Sequence, residues 1–292
     1  MEQIWFEVKY NRRFDDCASD EPETLQDGYE EGISEALLSL PDNYSKDGRP
    51  VPLIFCAHGS GGRVCREEGA VGGLKYLGEG ILSKYAAFDI HGTRPDGRSY
   101  GNRRYCEAVR RAYEYVVANY NVDRSLFVAG ASMGGISALN FVNMFPNIVR
   151  AIGLFYPRTN LHAEYLGGKL EHGSFDAIKN PKQDFWLREV IAEQYGFSQS
   201  RFFEADKTAG LDPWNNRTVV IDGKRYSELP APIKIWHGDA DVSVEFRFSV
   251  EYIAALRRRG CYAELRRLRG RGHKINAVMQ EELGLWFDRF AP

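Results

Sequence analysis

A serine between glycines is the residue whose surroundings most clearly predict chemistry. Ser132 lies in the sequence GASMGG (130–135), directly after the apolar run 125–129. A serine hydroxyl becomes a good nucleophile only when a neighbouring base takes its proton. A tight turn from a strand into a helix exposes such a hydroxyl and directs the helix N-terminus at a developing anion. We therefore predict Ser132 as a nucleophile; the structural alternative is a helix-capping serine with glycines for packing.

Two later segments supply candidates for the base and the acid of a catalytic triad. His273 follows the glycine-rich turn 270–272, and Asp241 lies in the sequence WHGDADV (236–242). A base needs a carboxylate that holds its imidazole in the correct tautomer. The order serine, aspartate, histidine is the chain order of the α/β-hydrolase triad. Asp241 is the predicted acid, with Asp239 in the same segment as the alternative.

A second glycine-rich segment predicts an oxyanion-binding loop. The sequence HGSGG (58–62) directly follows the apolar run 51–57. Acyl transfer requires two N–H donors for the oxygen of the tetrahedral intermediate. We expect one donor from Met133, the residue after the nucleophile, and the other from Ser60 or Gly59. His58 is expected to support the loop rather than to act as a base.

The elements that position these residues follow from hydrophobic patterning. Strands are predicted at 4–10, 36–40, 51–57, 86–90, 125–129, 151–156, 233–236 and 263–268, and helices at 102–119, 136–145, 244–259 and 275–290. This alternation indicates an α/β fold with a mostly parallel central sheet and helices on both faces. We expect residues 1–292 to form one such domain.

One region breaks the alternation of strands and helices. Residues 157–230 show no clean strand–helix cycle and are rich in aromatic side chains. We interpret this region as an inserted cap or lid, with most of its aromatics forming a small core of its own. Loops over the carboxyl edge of an open α/β sheet are where ligands bind. His162 and His172 are expected on the surface of this insertion.

Composition limits the partners and the compartment. The formal net charge is -2, which gives no electrostatic case for nucleic acid or for an anionic membrane. No stretch approaches the ~20 apolar residues that span a bilayer. The five cysteines show no CxxC spacing, and residues 1–10 contain charges and no apolar stretch, so a cytoplasmic protein is expected.

Four arginines near predicted strand ends are further candidates for binding. They are candidates for holding a carboxylate or a sugar, and the alternative is that each forms a salt bridge at the surface. The four residues are Arg94, Arg98, Arg103 and Arg158. His91 follows the fourth predicted strand and is a candidate for facing the same cleft.

Taken together, these segments resemble the α/β-hydrolase superfamily. They are most similar to the small prolyl-oligopeptidase-like and dienelactone-hydrolase-like serine esterases, a group that includes feruloyl and acetyl esterases. The similarity includes DGRSYGN (96–102) and NYNVDRSLFVAGASMGG (119–135), and covers roughly 36–157 and 230–292. The similarity does not extend to the insertion at 157–230.

The expected activity is hydrolysis of carboxylic esters through a Ser-His-Asp triad and an acyl-enzyme, without metal or organic cofactor. The substrate class is a small-molecule or carbohydrate-linked ester, such as an acetyl or feruloyl ester. Three alternatives remain: a peptidase or amidase with the same triad, an acyltransferase, and an inactive binding scaffold. The sequence leaves the oligomeric state open.

Overall fold

The computed structural model describes residues 1–11, 31–165, 181–198, 203–205, 207–208, 211–214, 219–221, 224–226 and 231–292. In these residues the strands of the main sheet are β1 (Glu2–Asn11), β2 (Glu31–Leu40), β3 (Val51–Ala57), β4 (Ala86–Ile90), β5 (Val122–Ala131), β6 (Val149–Phe155), β7 (Ile233–Gly238) and β8 (Ala263–Leu268). Their order across the sheet is β1-β2-β4-β3-β5-β6-β7-β8.

The sheet is parallel from β4 to β8 and antiparallel only at its first strands. β2 pairs antiparallel with both β1 and β4, whereas β3 pairs parallel with β4 and β5. The pairs β5–β6, β6–β7 and β7–β8 are also parallel. The carboxyl ends of β3 and of β5 to β8 therefore meet at one edge, where an open α/β sheet binds ligands. The predicted fold class is confirmed.

Helices cover both faces of this sheet. They are α1 (Glu79–Leu82), α2 (Arg103–Asn119), α3 (Met133–Met144), α4 (Leu161–Tyr165), α5 (Pro181–Gln194), α6 (Phe246–Arg258) and α7 (Ala277–Asp288). Side chains of α2, α3 and α6 pack with one face of the strands, and those of α1 and α7 pack with the other. No helix in the described ranges is long and apolar enough to cross a membrane.

The strand sequences explain this two-sided core. In β3, Phe55 belongs to one core cluster while its neighbours Ile54 and Cys56 belong to the other. All three are fully buried. Because successive side chains of a strand point to opposite faces, a strand covered on both faces must be apolar throughout. This is why VPLIFCA reads as a continuous apolar run.

The α2 helix shows the patterning that the sequence predicts. Asn102 accepts a hydrogen bond from Tyr105 N at 2.9 Å and so caps the first turn. The buried residues of the helix recur every three to four positions, as one stripe facing the sheet requires. They are Tyr105, Cys106, Ala108, Val109, Ala112, Tyr113 and Val116.

Parts of the predicted insertion lie within the described residues. Leu161 and Tyr165 of α4 and Ile191 of α5 pack in one buried cluster with Met133 and Ile136 of α3. Tyr165, Phe197 and Phe203 pack ring against ring at centroid distances of 5.4 to 5.8 Å. These aromatics therefore form a small core above the start of α3. The remaining parts of 157–230, including His172, lie outside the described residues.

Two of the cysteines that the structure describes, Cys56 and Cys65, are free thiols. Cys17 lies outside the described residues. Burial raises the pKa of the Cys56 thiol well above its usual value, and the nearby charge of Asp89 adds to this. This thiol therefore stays protonated and packs as an apolar group at neutral pH.

Candidate active site

Ser132 lies at the turn where β5 ends and α3 begins. Its φ of 56° and ψ of -119° place it in a backbone region that non-glycine residues rarely adopt. The turn is held from both sides, because Ser132 N donates to Phe155 O at 3.1 Å and Arg158 N donates to Ser132 O at 3.0 Å. Strain of this kind persists where the surrounding structure holds it, and it is common at active sites.

Two glycines of the GASMGG segment allow this turn to form. A side-chain carbon at Gly134 would lie 2.1 Å from Ala57 O, and one at Gly130 would lie 2.5 Å from Gly134 O. Both neighbours are backbone atoms, which have no room to move away. Gly134 is therefore required by close packing against the end of β3, and Gly130 by close packing within the turn itself.

We expect Gly134→Ala to destabilise the protein by about 3 kcal/mol, because the new methyl group overlaps a backbone carbonyl. Urea unfolding measures this change. The matched control is Gly61→Ala in the neighbouring loop, where an added carbon meets nothing within 4 Å. A G134A variant as stable as G61A would contradict this account of the turn.

His273 and Asp241 lie in direct hydrogen-bond contact. His273 Nδ1 is 2.7 Å from Asp241 Oδ2, with the imidazole partly exposed and the carboxylate side chain buried. Because an ionised carboxylate only accepts hydrogen bonds, Nδ1 is the protonated nitrogen and Nε2 is left to act as a base. The ring of Tyr156, which follows β6, lies against the His273 ring at a centroid distance of 4.1 Å.

Asp241 has further partners that hold it in place and keep it ionised. Its Oδ1 accepts hydrogen bonds from Ser243 N at 2.8 Å and from Val244 N at 3.0 Å. Burial by itself raises the pKa of Asp241, but hydrogen bonds from His237, His273 and Val244 N outweigh it and hold the pKa well below its usual value. Asp241 is therefore a carboxylate throughout the neutral range.

His237 is a site residue to which the sequence analysis gave no role. It is fully buried, and its Nε2 lies 2.9 Å from Val244 O and 3.4 Å from Asp241 Oδ2. Its Nδ1 lies 2.7 Å from Ser249 Oγ. His237 thus ties the Asp241 turn to α6. Its position four residues before Asp241 in the WHGDADV segment is the available signal, but the direction of its ring depends on the fold.

The loops that contain Asp241 and His273 interlock at the ends of β7 and β8. Ala240 N donates to Arg271 O at 3.0 Å, and a side-chain carbon at Gly238 would lie 2.1 Å from that same oxygen. Asp239, the alternative acid, points away to Arg267 Nε at 2.8 Å and Gly270 N at 2.6 Å. The structure thus brings Asp241 rather than Asp239 to His273.

The HGSGG loop lies beside Ser132. A side-chain carbon at Gly59 would lie 3.5 Å from Ser132 Cβ and 3.2 Å from Tyr76 Oη. Gly59 N already donates to Tyr76 Oη at 2.9 Å, so this N–H has a partner within the protein. Met133 is the first residue of α3, where N–H groups lack partners inside the helix. Ser60 lies in the same loop, and its carbonyl accepts from Arg98 Nε at 3.0 Å.

His58, the first residue of this loop, forms a buried ion pair with Asp89. Its Nδ1 lies 2.9 Å from Asp89 Oδ2 and its Nε2 lies 3.0 Å from Gly97 O. Asp89 also accepts hydrogen bonds from Gly73 N at 2.7 Å and from Ile90 N at 2.8 Å. Both nitrogens of His58 face acceptors, so the ring is an imidazolium.

The His58–Asp89 pair should make the protein less stable as the pH rises. Burial by itself lowers the pKa of His58, but the charge and hydrogen bond of Asp89, with the Gly97 carbonyl, raise it above its usual value. The pKa of His58 is therefore higher in the folded protein than in the unfolded protein, where it is about 6.5. The pair contributes its full stabilisation below a pH of about 6.5, and this stabilisation is lost as the pH rises through the pKa of the folded protein.

We expect His58→Gln to lower the free energy of unfolding by about 3 kcal/mol at pH 6, because a buried carboxylate loses its charged partner. The difference between wild type and variant should shrink as the pH is raised above neutrality. Urea unfolding at a series of pH values measures this difference. A difference that stays constant with pH would show that His58 is not charged.

The other candidate residues have partners within the protein. Arg94 pairs with Asp96 and Glu193, and Arg98 also pairs with Asp96. Arg158 is buried and pairs with Glu164.

Two further histidines have partners within the protein. His91 has both ring nitrogens at backbone carbonyls, 2.7 Å from Val64 O and 3.0 Å from Pro95 O. His162 stacks on Phe203 at a centroid distance of 4.3 Å. Arg103 lies in the first turn of α2, half-buried.

The chain matches a known protein family. The model of the prolyl oligopeptidase family matches residues 85–285 of the chain. This range includes the three residues discussed above as nucleophile, base and acid. A search of curated proteins finds none that matches the chain in sequence.

Several solved structures have the same fold. The acylaminoacyl peptidase of Pyrococcus horikoshii superposes with a TM-score of 0.66 at 13% identity, over 99% of this chain and 41% of its own. The chain thus spans about two fifths of that peptidase. An esterase of Pyrobaculum calidifontis superposes with a TM-score of 0.62 at 17% identity, over 99% of this chain and 85% of its own. Est1E of Butyrivibrio proteoclasticus, solved with ferulic acid bound, has a TM-score of 0.56 at 16% identity, over 88% and 95%.

Proposed function

Because the chain belongs to the prolyl oligopeptidase family of serine hydrolases, we propose that it hydrolyses carboxylic esters through Ser132, His273 and Asp241. The observation that supports this most is the 2.7 Å hydrogen bond between His273 Nδ1 and Asp241 Oδ2. It lies at the sheet edge where the strained turn presents Ser132. A nucleophile, a base and an orienting carboxylate are the three parts that acyl transfer needs.

In the proposed reaction, Ser132 Oγ attacks the ester carbonyl carbon while His273 Nε2 takes the hydroxyl proton. Asp241 remains ionised and stabilises the imidazolium that forms. The tetrahedral intermediate collapses, and the alcohol leaves with the proton from His273. Water then attacks the acyl-enzyme, His273 takes its proton, and the carboxylic acid leaves as the proton returns to Ser132. The residues named here account for every proton transfer.

The developing oxyanion requires donors on the side of the HGSGG loop. We propose the Met133 N–H as the first donor and a donor from this loop as the second. Of the two loop residues, Gly59 uses its N–H to hold Tyr76 Oη, which leaves Ser60 N–H and the Tyr76 hydroxyl as candidates. Burial raises the pKa of Tyr76 to about 12, so this hydroxyl keeps a proton that it can donate.

Esters are preferred to peptides in this proposal because one structural neighbour of comparable length is an esterase and another, Est1E, has ferulic acid bound. This chain covers 85% of the Pyrobaculum calidifontis esterase and 95% of Est1E, but only 41% of the acylaminoacyl peptidase. The ferulic acid bound to Est1E makes a hydroxycinnamoyl ester one reasonable substrate to test. Acetylated sugars are the second.

The experiment compares an ester and an amide of the same acyl group, nitrophenyl butyrate and butyryl nitroanilide. Methyl ferulate and an acetylated sugar are assayed separately as further substrates. We expect turnover of esters and much slower turnover of the amide, because the amine is the poorer leaving group. Amide cleavage at a rate similar to the ester would favour a peptidase. Acyl products formed with an added alcohol would favour a transferase, and no turnover with no labelling by a fluorophosphonate would indicate an inactive scaffold.

A further inference from the structure

Three buried polar atoms of residues around the start of α3 have no hydrogen-bond partner among the residues that the structure describes. They are Tyr100 Oη, Arg158 Nε and Thr159 Oγ1. The residues are 0%, 8% and 1% exposed, respectively. Nearly all buried polar atoms in folded proteins are hydrogen-bonded, so an exception requires an explanation such as a functional role. The cluster lies outside the proposed triad and the oxyanion loop.

Arg158 and Tyr100 flank the first turn of α3, which begins at Ser132. Arg158 N donates to Ser132 O, and a side-chain carbon at Gly135 would lie 3.2 Å from Arg158 N. Tyr100 belongs to the buried cluster that contains Met133 and Ile136 of the same turn. Both residues are thus fixed against the element that presents the nucleophile.

The backbone at Tyr100 is strained and held in place. Its φ is 47°, in the left-handed region that non-glycine residues seldom occupy. Tyr195 Oη donates to Tyr100 O at 2.8 Å, and Asn140 Nδ2 donates to Gly101 O at 2.9 Å. Strain that the surroundings maintain in this way is common at ligand-binding positions.

The charges around Tyr100 are compensated. Arg158 pairs with buried Glu164, and Arg98 pairs with Asp96. Burial raises the pKa of Tyr100 above its usual value even though the charges of Arg158 and Arg98 oppose this, so the phenol stays protonated. Glu164 would repel the carboxylate of a ligand, because both groups are negatively charged. It would not repel an uncharged oxygen.

We propose that Tyr100 and Arg158, with the Thr159 hydroxyl next to them in the chain, form a polar subsite for an uncharged acceptor oxygen of the substrate. The oxygen is a hydroxyl, ether or carbonyl oxygen close to the scissile ester bond. Tyr100 Oη and Arg158 Nε each have a proton to donate to it. This inference rests on the proposed function, because it assigns a specificity to the same site.

The test compares substrates that differ only by an oxygen in place of a methylene group. In the acyl series these are 4-nitrophenyl methoxyacetate and butyrate, then 3-methoxypropionate and valerate. In the alcohol series they are 2-methoxyethyl acetate and butyl acetate. The variants are Tyr100→Phe, which loses only the hydroxyl, and Arg158→Lys, which keeps the charge opposite Glu164 but loses Nε. The matched control is Tyr113→Phe, whose hydroxyl bonds to Arg124 O elsewhere in the protein.

We expect Y100F to lower kcat/KM about tenfold for the oxygen-bearing member of one series, the loss that accompanies one missing neutral hydrogen bond. Y100F should lower kcat/KM much less for the hydrocarbon member, so the ratio between the two substrates changes. R158K should change this ratio in the same direction, and Y113F should leave it unchanged. The series that responds shows whether the oxygen belongs to the acyl or the alcohol part. Equal effects of Y100F and R158K on both members of every pair would overturn the subsite alone. A wild type without turnover of any ester and without fluorophosphonate labelling would overturn the proposed function, and this subsite with it.

Discussion

Ser132→Ala is expected to lower ester hydrolysis by about 10⁴-fold or more, which is the loss seen when a triad nucleophile is removed. The variant has no hydroxyl to form the acyl-enzyme, while the turn, the proposed oxyanion donors and the His273–Asp241 pair remain. Alanine at this position still has to adopt a φ of 56°, so its backbone strain resembles that of serine. Initial rates with nitrophenyl butyrate measure the loss.

The matched control for this substitution is Ser137→Ala, one turn further along α3. Ser137 is buried, and its Oγ lies 3.4 Å from Met133 O, so the variant also loses one hydroxyl from the same helix. We expect S137A to keep nearly all activity. Thermal melting of both variants separates a catalytic loss from a loss of folding. An S132A variant that retains wild-type rates would show that another residue is the nucleophile.

Asp241→Asn is expected to lower kcat by about 10⁴-fold with little change in KM, because the amide no longer holds His273 in the tautomer that leaves Nε2 free. The amide oxygen can still accept the hydrogen bonds from Ser243 N and Val244 N that Asp241 Oδ1 accepts. The turn should therefore form in the variant. Steady-state kinetics on one nitrophenyl ester measure both parameters.

Asp239→Asn provides the control in the same loop. Asp239 contacts Arg267 and Gly270 N and makes no contact with His273 among its described hydrogen bonds. We expect the D239N variant to keep its activity. If D239N loses activity and D241N does not, the acid of the triad is Asp239 and the proposed assignment is wrong.

The sequence alone predicts most of the sheet, and the reason is burial. The predicted strands 51–57, 86–90 and 263–268 coincide with β3, β4 and β8. Strands β3 and β4 are buried on both faces. In the sequence each is therefore a short, largely apolar segment next to polar residues or glycine. Strand β5 begins three residues before the predicted start, because Asp123 and Arg124 near its beginning are polar.

Helix boundaries and short helices were less predictable. Helix α3 begins at Met133 rather than at 136, because Gly134 and Gly135 have low helix propensity and tertiary packing overrides it. Helices α1 and α4 have only four and five residues, too few for a periodic pattern. Their positions depend on contacts with α7 and with the buried cluster around Met133.

The candidate site likewise contains residues that the sequence predicts and contacts that depend on the fold. Residue type and chain order suffice to propose Ser132, Asp241 and His273, because the chemistry requires those groups at strand ends. The hydrogen bond from Gly59 N to Tyr76 Oη joins segments that no local pattern relates. The contact of His237 with Asp241 likewise depends on the direction of a buried ring.

The most direct test of the central claim is to find which residue forms a covalent bond with a fluorophosphonate. The wild-type protein is incubated with the probe, digested, and its peptides are mapped by mass spectrometry. We predict one adduct, on Ser132, which is absent in S132A and greatly slowed in His273→Ala. An adduct on another residue, or no adduct on a folded protein, would contradict the assignment of Ser132 as the nucleophile of a serine hydrolase.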